Sequence, residues 1–210
     1  MGAIILPHTY HAQQKGYTCG PSTAKVVLST YGISVTEAQM ERECGTTVDG
    51  TGDVRQINDV LTRRTGRRYI ANYMPADPPS RAQKDLFWEC ALETIRDSRR
   101  GMPVNVWAPA NNHPPGYPNY LVQHYITGVG INEAERLIYI SDSARFGGIE
   151  HYWIGADRLC TMITPKGYGT LAEPTPPPSK NSFANFTDAQ MRLVIAAAHQ
   201  VGNPHTGSLA

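Results

Sequence analysis

The first half of the chain carries hydrophobic residues at the spacing of amphipathic helices. This period predicts four helices, over residues 19–31, 36–45, 53–65 and 80–100. Gly32 and Gly45 end the first two, and Thr36 with Gln39 forms a predicted capping box at the start of the second. The apolar side of the fourth helix is predicted to comprise Leu86, Phe87, Ala91, Leu92 and Ile95. One strand, residues 69–74, is expected between the third helix and the fourth.

The pattern changes from helical to extended after the Gly-Met-Pro sequence at residues 101–103. Runs rich in β-branched and aromatic residues predict strands over residues 104–107, 121–131, 136–142 and 149–154. A loop with four Pro and two Asn is predicted at residues 109–118. Because the helices come first and the strands later, the sequence predicts an α+β fold rather than a repeating parallel βαβ one.

A Pro-rich segment marks the clearest domain boundary. Residues 173–180 read Glu-Pro-Thr-Pro-Pro-Pro-Ser-Lys, which is typical of a semi-rigid spacer. We expect a first domain over residues 1–168, a linker over 169–186 and a further segment over 187–210 that contains a helix at 187–201. This helix is predicted to open a truncated second domain. The alternative is a tail that packs back on the first domain, since one helix cannot bury its own apolar face.

The composition places the chain among globular proteins and disfavours several classes of function. Hydrophobic residues make up 40% of the chain and charged residues 18%. The formal net charge is +1, which gives no electrostatic reason to expect nucleic acid or an anionic membrane as partner. The apolar run at residues 3–6 is too short for a signal peptide, and no run is long enough to span a membrane. We therefore expect a soluble protein without membrane insertion, with a monomer favoured.

The four cysteines are widely spaced and have different contexts. Cys19, Cys44, Cys90 and Cys160 include no Cys-x-x-Cys pair, which argues against a zinc cluster, and neither a metal nor a cofactor is expected. Cys19 alone stands at the start of a predicted helix, followed by Gly and Pro. The N–H groups and the dipole of a helix N-terminus lower the pKa of a thiol, as a nucleophilic cysteine requires. The other three are interpreted as packing thiols.

A glutamine upstream of Cys19 is a candidate for stabilising an oxyanion. Gln13 precedes Cys19 by six residues, and its amide together with the Cys19 backbone N–H would supply two donors. Gln14 is also available, and only the six-residue spacing favours Gln13.

His124 is the strongest candidate for a general base, because a predicted hairpin brings an acid to it. If the hairpin is centred on Glu133, the residue numbers of opposed pairs sum to 266, and Asp142 stands directly opposite His124 on the same face. A carboxylate there would fix the imidazole tautomer. A one-residue shift of register would place the two residues on opposite faces, in which case His113 or His151 would have to be considered instead.

These residues together resemble a known family. Gln13, Cys19-Gly20-Pro21, His124-Tyr125 and Asp142 occur in the order found in the bacteriocin-processing cysteine peptidases, over about residues 5–165. The resemblance implies a papain-like cysteine peptidase fold, in which an N-terminal nucleophile helix packs on a later antiparallel sheet. It also implies a Cys-His-Asp triad with a Gln oxyanion site. The sequence departs from the family where Ser143 follows the acid, since Pro is frequent there.

The Pro-rich linker in place of a transporter resembles the modular endolysins of phages that infect mycobacteria. That resemblance implies hydrolysis of peptide bonds in peptidoglycan, with stem peptides as the partner. It further implies that the protein waits in the host cytoplasm, without a signal peptide, until a holin opens the membrane. Two other functions remain: a peptidase or acyl transferase acting on a protein or peptide, and a catalytically silent module that binds cell walls. The sequence does not indicate which bond is cleaved.

Overall fold

The structure is a computed structural model and describes residues 2–172. The part of the predicted linker beyond residue 172 and the predicted helix at 187–201 lie outside the described residues. Within residues 2–172, no helix is both long and apolar enough to cross a membrane.

An antiparallel sheet of seven strands forms the centre of the fold. Six strands are hydrogen-bonded in the order β2-β7-β3-β4-β5-β6, and β1 pairs with β4. The strands are β1 Ile4–Ile5, β2 Tyr69–Tyr73, β3 Met102–Ala108, β4 Val122–Asn132, β5 Leu137–Ser141, β6 His151–Gly155 and β7 Gly167–Leu171. The helices are α1 Cys19–Ser29, α2 Glu37–Glu43, α3 Val54–Thr65, α4 Arg81–Ala91 and α5 Ala156–Ile163. The predicted α+β architecture, with a helix that begins at Cys19 and a later antiparallel sheet, is confirmed.

The helices begin where their polar residues can supply caps. Capping boxes open α2, α3 and α4, formed by Thr36 with Gln39, Asp53 with Gln56, and Ser80 with Gln83. Only the first of these boxes was expected. Helix α1 differs, because its N-cap residue Thr18 makes no side-chain hydrogen bond to the helix. Its hydroxyl donates a hydrogen bond to Glu37 of α2 instead.

The apolar residues form two main clusters. One contains Cys19 and residues of α1, α2 and α3, and the other contains residues of α4, α5 and the strands β3 to β6. Helix α1 packs on β4, so that its first residue, Cys19, belongs to the same cluster as Tyr125 of that strand. The packing of α1 on the sheet therefore fixes the position of the cysteine.

Three local predictions differ from the structure. The predicted helix 80–100 is α4 followed by a wider π-helical turn, Leu92–Asp97, and Leu86 is 47% exposed instead of packed. Helix α5 was missed because it is short and follows β6 directly. Strand β7 was missed because two of its five residues are Gly, which disfavours a strand. Since β7 runs to Leu171, the predicted boundary at residue 168 falls inside a strand.

Candidate active site

Cys19 is the first residue of α1 and is buried, with 8% of its surface exposed. The next residue must be small, because a Cβ at Gly20 would collide with the side chain of Thr51. The loop that contains Thr51 therefore packs closely against the helix N-terminus. This contact positions the loop beside the thiol.

His124 lies on β4 between Cys19 and Asp142. Its Nε2 atom is 2.9 Å from Oδ1 of Asp142, and both side chains are at least 95% buried. The imidazole also interacts with the Cys19 thiol, and each of the two groups shifts the pKa of the other. Because Nε2 is held by the carboxylate, the other ring nitrogen, Nδ1, is the one available to the thiol. The three predicted residues are thus adjacent.

The predicted register of the hairpin, however, is wrong. Near the turn Asn132 pairs with Leu137, and further along the strands Thr127 pairs with Ser141. The residue numbers of opposed pairs therefore sum to 269 near the turn and to 268 beyond it, and not to the predicted 266. Asp142 therefore stands diagonal to His124, two residues from the opposed position. Side chains reach such diagonal neighbours on one face of a sheet.

A bulge between Gly128 and Gly130 changes the register and places His124 and Asp142 on one face. Without it, the register near the turn would continue and set Asp142 opposite Thr127. The side chains of His124 and Asp142 would then point to opposite faces, since the pleat alternates. The extra residue in β4 restores the shared face, and this feature could not be predicted from the turn sequence.

The Asp142 carboxylate is surrounded by donors that the sequence did not reveal. Oδ2 accepts hydrogen bonds from the hydroxyls of Tyr117, at 2.6 Å, and Tyr152, at 3.0 Å. Oδ1 accepts the backbone N–H of Ala144 at 3.1 Å in addition to His124. Tyr117 comes from the Pro-rich loop and Tyr152 from β6. A buried carboxylate with four donors is held in one orientation and stays ionised.

Charges inside this group shift all three pKa values. Burial opposes ionisation of Cys19, but its hydrogen bond to His124 and the charge of His124 bring the thiol pKa below its ordinary value. Burial likewise opposes protonation of His124, yet the charge and hydrogen bond of Asp142 raise its pKa to about 10. For Asp142, burial is outweighed by the charge and hydrogen bond of His124, so its pKa lies below its usual range. The group favours a thiolate beside an imidazolium.

A second buried carboxylate, Glu37 at the start of α2, anchors the segment that leads into Cys19. Glu37 is 3% exposed and accepts hydrogen bonds from the Gln14 backbone N–H at 2.9 Å, the Thr18 hydroxyl at 2.6 Å and the Ser22 hydroxyl at 3.0 Å. Three donors from both sides of Cys19 thus converge on one side chain. The role of Glu37 is not predictable from the sequence, because an acid in the first turn of a helix ordinarily serves only to interact with the helix dipole.

Gln13 lies beside the segment that carries Asp142, not in the cleft at Cys19. Its backbone N–H donates to the Ser143 carbonyl at 3.0 Å, and the Ser143 hydroxyl donates to its side-chain oxygen at 3.1 Å. The side-chain Nε2 donates to the Lys15 carbonyl at 3.0 Å. The amide that was expected to face the oxyanion therefore has another acceptor in this state.

An open cleft of about 280 Å³ gives access to Cys19 and His124. The turn at residues 47–52 lines one part of it, and Asn105, Gln123 and Lys166 line others. Asn105 and Lys166 were not among the residues predicted from sequence. Asn105 lies on β3, which borders β4, and Lys166 directly precedes β7, which borders β3. No local motif near Cys19 or His124 identifies either residue.

The remaining cysteines and histidines have other surroundings. Burial raises the thiol pKa of both Cys44 and Cys160 to about 12. His151 pairs with His8 at 3.1 Å between Nε2 atoms, and His113 contacts the Pro114 carbonyl. Neither His113 nor His151 lines the cleft at Cys19.

A helix that presents a cysteine to an antiparallel sheet is the arrangement of papain-like cysteine peptidases. Residues 5–159 match the model of the Peptidase_C39 like family, and the chain belongs to this family of cysteine peptidases. None of the curated proteins is significantly similar to the chain in sequence.

Solved structures are similar in fold. The peptidase domain of Streptococcus ComA, a bifunctional ABC transporter involved in quorum sensing, is 16% identical with a TM-score of 0.54, over 79% of this chain and 98% of that one. A C39-like peptidase from Bacillus anthracis is 9% identical with a TM-score of 0.54, over 82% and 98%. A double glycine motif protease of an AMS/PCAT transporter, solved with its leader peptide, is 16% identical with a TM-score of 0.50, over 80% and 94%. These likenesses agree with the papain-like fold predicted from sequence.

Proposed function

We propose that the chain hydrolyses peptide bonds with Cys19 as nucleophile, His124 as general acid and base, and Asp142 as the residue that orients His124. The observation that carries this proposal is that Cys19 and His124 line one open cleft and interact with each other, while His124 is hydrogen-bonded to the buried Asp142. The lowered pKa of Cys19 and the raised pKa of His124 support an ion pair that is ready to react.

The chemistry follows from this ion pair. The Cys19 thiolate attacks the carbonyl carbon of the substrate, and the C=O electron pair moves to oxygen. The His124 imidazolium then protonates the amine as the C–N bond breaks, which leaves a thioester on Cys19. Neutral His124 next removes a proton from water, the resulting hydroxide attacks the thioester, and the acid product leaves. The thiolate and the imidazolium are regenerated.

Gln13 completes an oxyanion site in this proposal, together with the Cys19 backbone N–H. The Gln13 amide must exchange the Lys15 carbonyl for the substrate oxygen. The backbone of Gln13 stays tied to Ser143 during that exchange, so the side chain alone has to move. The hydrogen bonds of Glu37 to Gln14 and Thr18 hold the rest of this segment.

We propose the peptide part of bacterial peptidoglycan as the substrate, in a phage endolysin directed at mycobacteria or their relatives. The resemblance of the motif order and of the following Pro-rich segment to modular endolysins supports this. Action on the wall after holin release from the host cytoplasm, with stem peptides as the partner, belongs to the same proposal.

Digestion of purified mycobacterial peptidoglycan tests this function directly. The protein should release fragments whose masses show a cleaved amide, with one new amine and one new carboxyl group for each cut. The Cys19→Ala variant should release none. The absence of fragments with the unchanged protein, or equal release by the variant, would contradict the proposal.

A second candidate is processing of a peptide or protein, by hydrolysis or by acyl transfer. It is favoured by the AMS/PCAT neighbour, which was solved with a leader peptide. Incubation with a double-glycine leader peptide and an added amine separates the outcomes. Cleavage of the peptide without digestion of peptidoglycan would favour processing, and an amide formed with the added amine would indicate transfer.

A further inference from the structure

The cleft at Cys19 continues into a second recess. This recess has a volume of about 200 Å³ and shares three residues with the cleft, namely Gly52, Asn105 and Lys166. These three residues lie where the two spaces join. An extended substrate that reaches Cys19 from this side would pass over them.

Lys166 places a positive charge at this junction. Its ammonium group lies 4.8 Å from the centre of the Trp107 ring, which orients the cation. Among residues 2–172, no carboxylate forms an ion pair with Lys166. The side chain is half-buried, so an anion bound there would be less screened than at an open surface.

Asn105, the second polar residue of the junction, is a nearly buried side chain without a partner. It is 8% exposed, and within the described part of the chain no residue forms a hydrogen bond with its side-chain amide. The neighbouring Tyr125, which also lines the cleft, has a buried hydroxyl that likewise has no partner. The Asn105 amide therefore lines both spaces without a partner of its own among the described residues, which leaves its hydrogen-bonding groups free for a ligand.

The acidic residues nearby do not neutralise Lys166. In the second recess, Asp53 binds Arg55 at 3.0 Å, accepts the Tyr73 hydroxyl at 2.8 Å and caps α3. Asp49 lines the same cleft as Lys166, but the two side chains form no ion pair in the described part of the chain. The junction therefore keeps an unpaired positive charge beside an unpaired amide.

We propose that Asn105 and Lys166 form a subsite for a carboxylate of the peptide substrate, close to the bond that Cys19 attacks. The Asn105 amide donates a hydrogen bond to the carboxylate, and the Lys166 ammonium group supplies the charge. Peptides with an acidic side chain or a free carboxyl group near the cleaved bond are thus the preferred substrate class. This inference rests on the proposed peptidase function, because it assumes that a peptide occupies the cleft.

Binding to the full-length Cys19→Ala variant tests the subsite without turnover. The probes are hexapeptides of Ala and Gly with blocked termini, in which each position in turn is Glu or Gln. At one position the Glu peptide should bind about tenfold tighter than the Gln peptide at low salt. This preference should fall as ionic strength rises.

A second substitution then assigns the preference to Lys166. Lys166→Met, added to Cys19→Ala, should remove the difference between the Glu and Gln peptides. Asn105→Ala should weaken the binding of both peptides. Lys25→Met is the matched control, because Lys25 lines a separate groove with Thr9 and Ser29, and it should keep the full preference.

Three results would overturn the subsite. The Glu and Gln peptides could bind equally at every position, neither could bind, or the Glu preference could survive Lys166→Met. Turnover by the unchanged protein separates these results from the proposed function. A Glu preference in binding without cleavage of any probe or of peptidoglycan would contradict the peptidase and leave the subsite supported. Cleavage with no preference between Glu and Gln would contradict the subsite alone.

Discussion

Cys19 and Cys44 are both buried thiols of the same apolar cluster, yet their surroundings affect them in opposite directions. Cys44 is 2% exposed, and its burial and the nearby charge of Glu43 raise its pKa to about 12. Cys19 is 8% exposed, and the hydrogen bond and charge of His124 outweigh its burial and lower its pKa. Burial by itself therefore makes a thiol inert, and a cationic partner makes it reactive.

The helix ends add to the contrast. Cys19 is the first residue of α1, where unpaired N–H groups favour a negative charge. Cys44 is the C-cap of α2, where carbonyl groups oppose one. Position on a helix and an adjacent histidine both distinguish the proposed nucleophile from a packing cysteine.

Separate replacement of the two cysteines should give the largest difference in activity between variants. Cys19→Ala should lower hydrolysis of the substrate by about 1,000-fold or more, because no other group can form the thioester. Cys44→Ala should keep most of the activity, although the lost packing should lower the free energy of unfolding by about 1–3 kcal/mol. Rates from fragment release and unfolding curves in urea check both. Substantial activity in folded Cys19→Ala would exclude it as nucleophile.

Two substitutions of Asp142 should lower the activity to different extents. Asp142→Ala should reduce kcat by about 100-fold or more, because His124 loses the carboxylate that orients it and raises its pKa. Asp142→Asn should retain more activity, since the amide oxygen can still accept the His124 N–H. The rates of the two variants are compared at one pH with circular dichroism as the fold control. Equal rates in both variants would mean that Asp142 does not act through His124.

Gln13 tests the oxyanion site. Gln13→Ala should lower kcat by about 100-fold with little change in KM, because the amide would contact the oxygen only after attack. Gln14→Ala is the control, since Gln14 is anchored through its backbone N–H to Glu37. A larger loss in Gln14→Ala than in Gln13→Ala would transfer the role to the neighbouring glutamine.

The smallest effect is expected at the hydroxyl donors of Asp142. Tyr152→Phe removes one of four hydrogen bonds and should lower the free energy of unfolding by about 1–2 kcal/mol, with only a few-fold loss of activity. Asp142 then ionises less readily, so the acid limb of the pH–rate profile should move to higher pH. An unchanged acid limb would indicate that the hydroxyl does not stabilise the carboxylate.

The sequence predicted the residues of the site better than the contacts that hold them. Cys19 was identifiable because a Gly-Pro sequence and a helical period follow it, and His124 because a hairpin brings an acid toward it. The register could not be predicted, since it depends on a bulge at Gly128–Gly130 that lies away from the turn. A turn sequence constrains the pairs next to it, and a bulge further along the strands changes the rest.

Contacts between segments that are distant in sequence were missed for the same reason. Tyr117 and Tyr152 meet at Asp142 only because the Pro-rich loop and β6 converge there. Glu37 reaches Thr18 because α2 packs beside α1. Such contacts follow from tertiary packing, whereas capping boxes and the helical period of apolar residues are local and could be predicted in part.

The most direct test of the central claim is the pH dependence of alkylation at each cysteine. Iodoacetamide labelling of the folded protein, followed by mass spectrometry of the peptides, gives a separate rate for Cys19 and Cys44. Cys19 should react with an apparent pKa below that of an ordinary thiol, and Cys44 should react only when the protein unfolds. In His124→Ala the apparent pKa of Cys19 should rise, because burial is then opposed only by the backbone N–H groups around the thiol. A Cys19 that reacts no faster than Cys44, or a profile that His124→Ala leaves unchanged, would contradict the account.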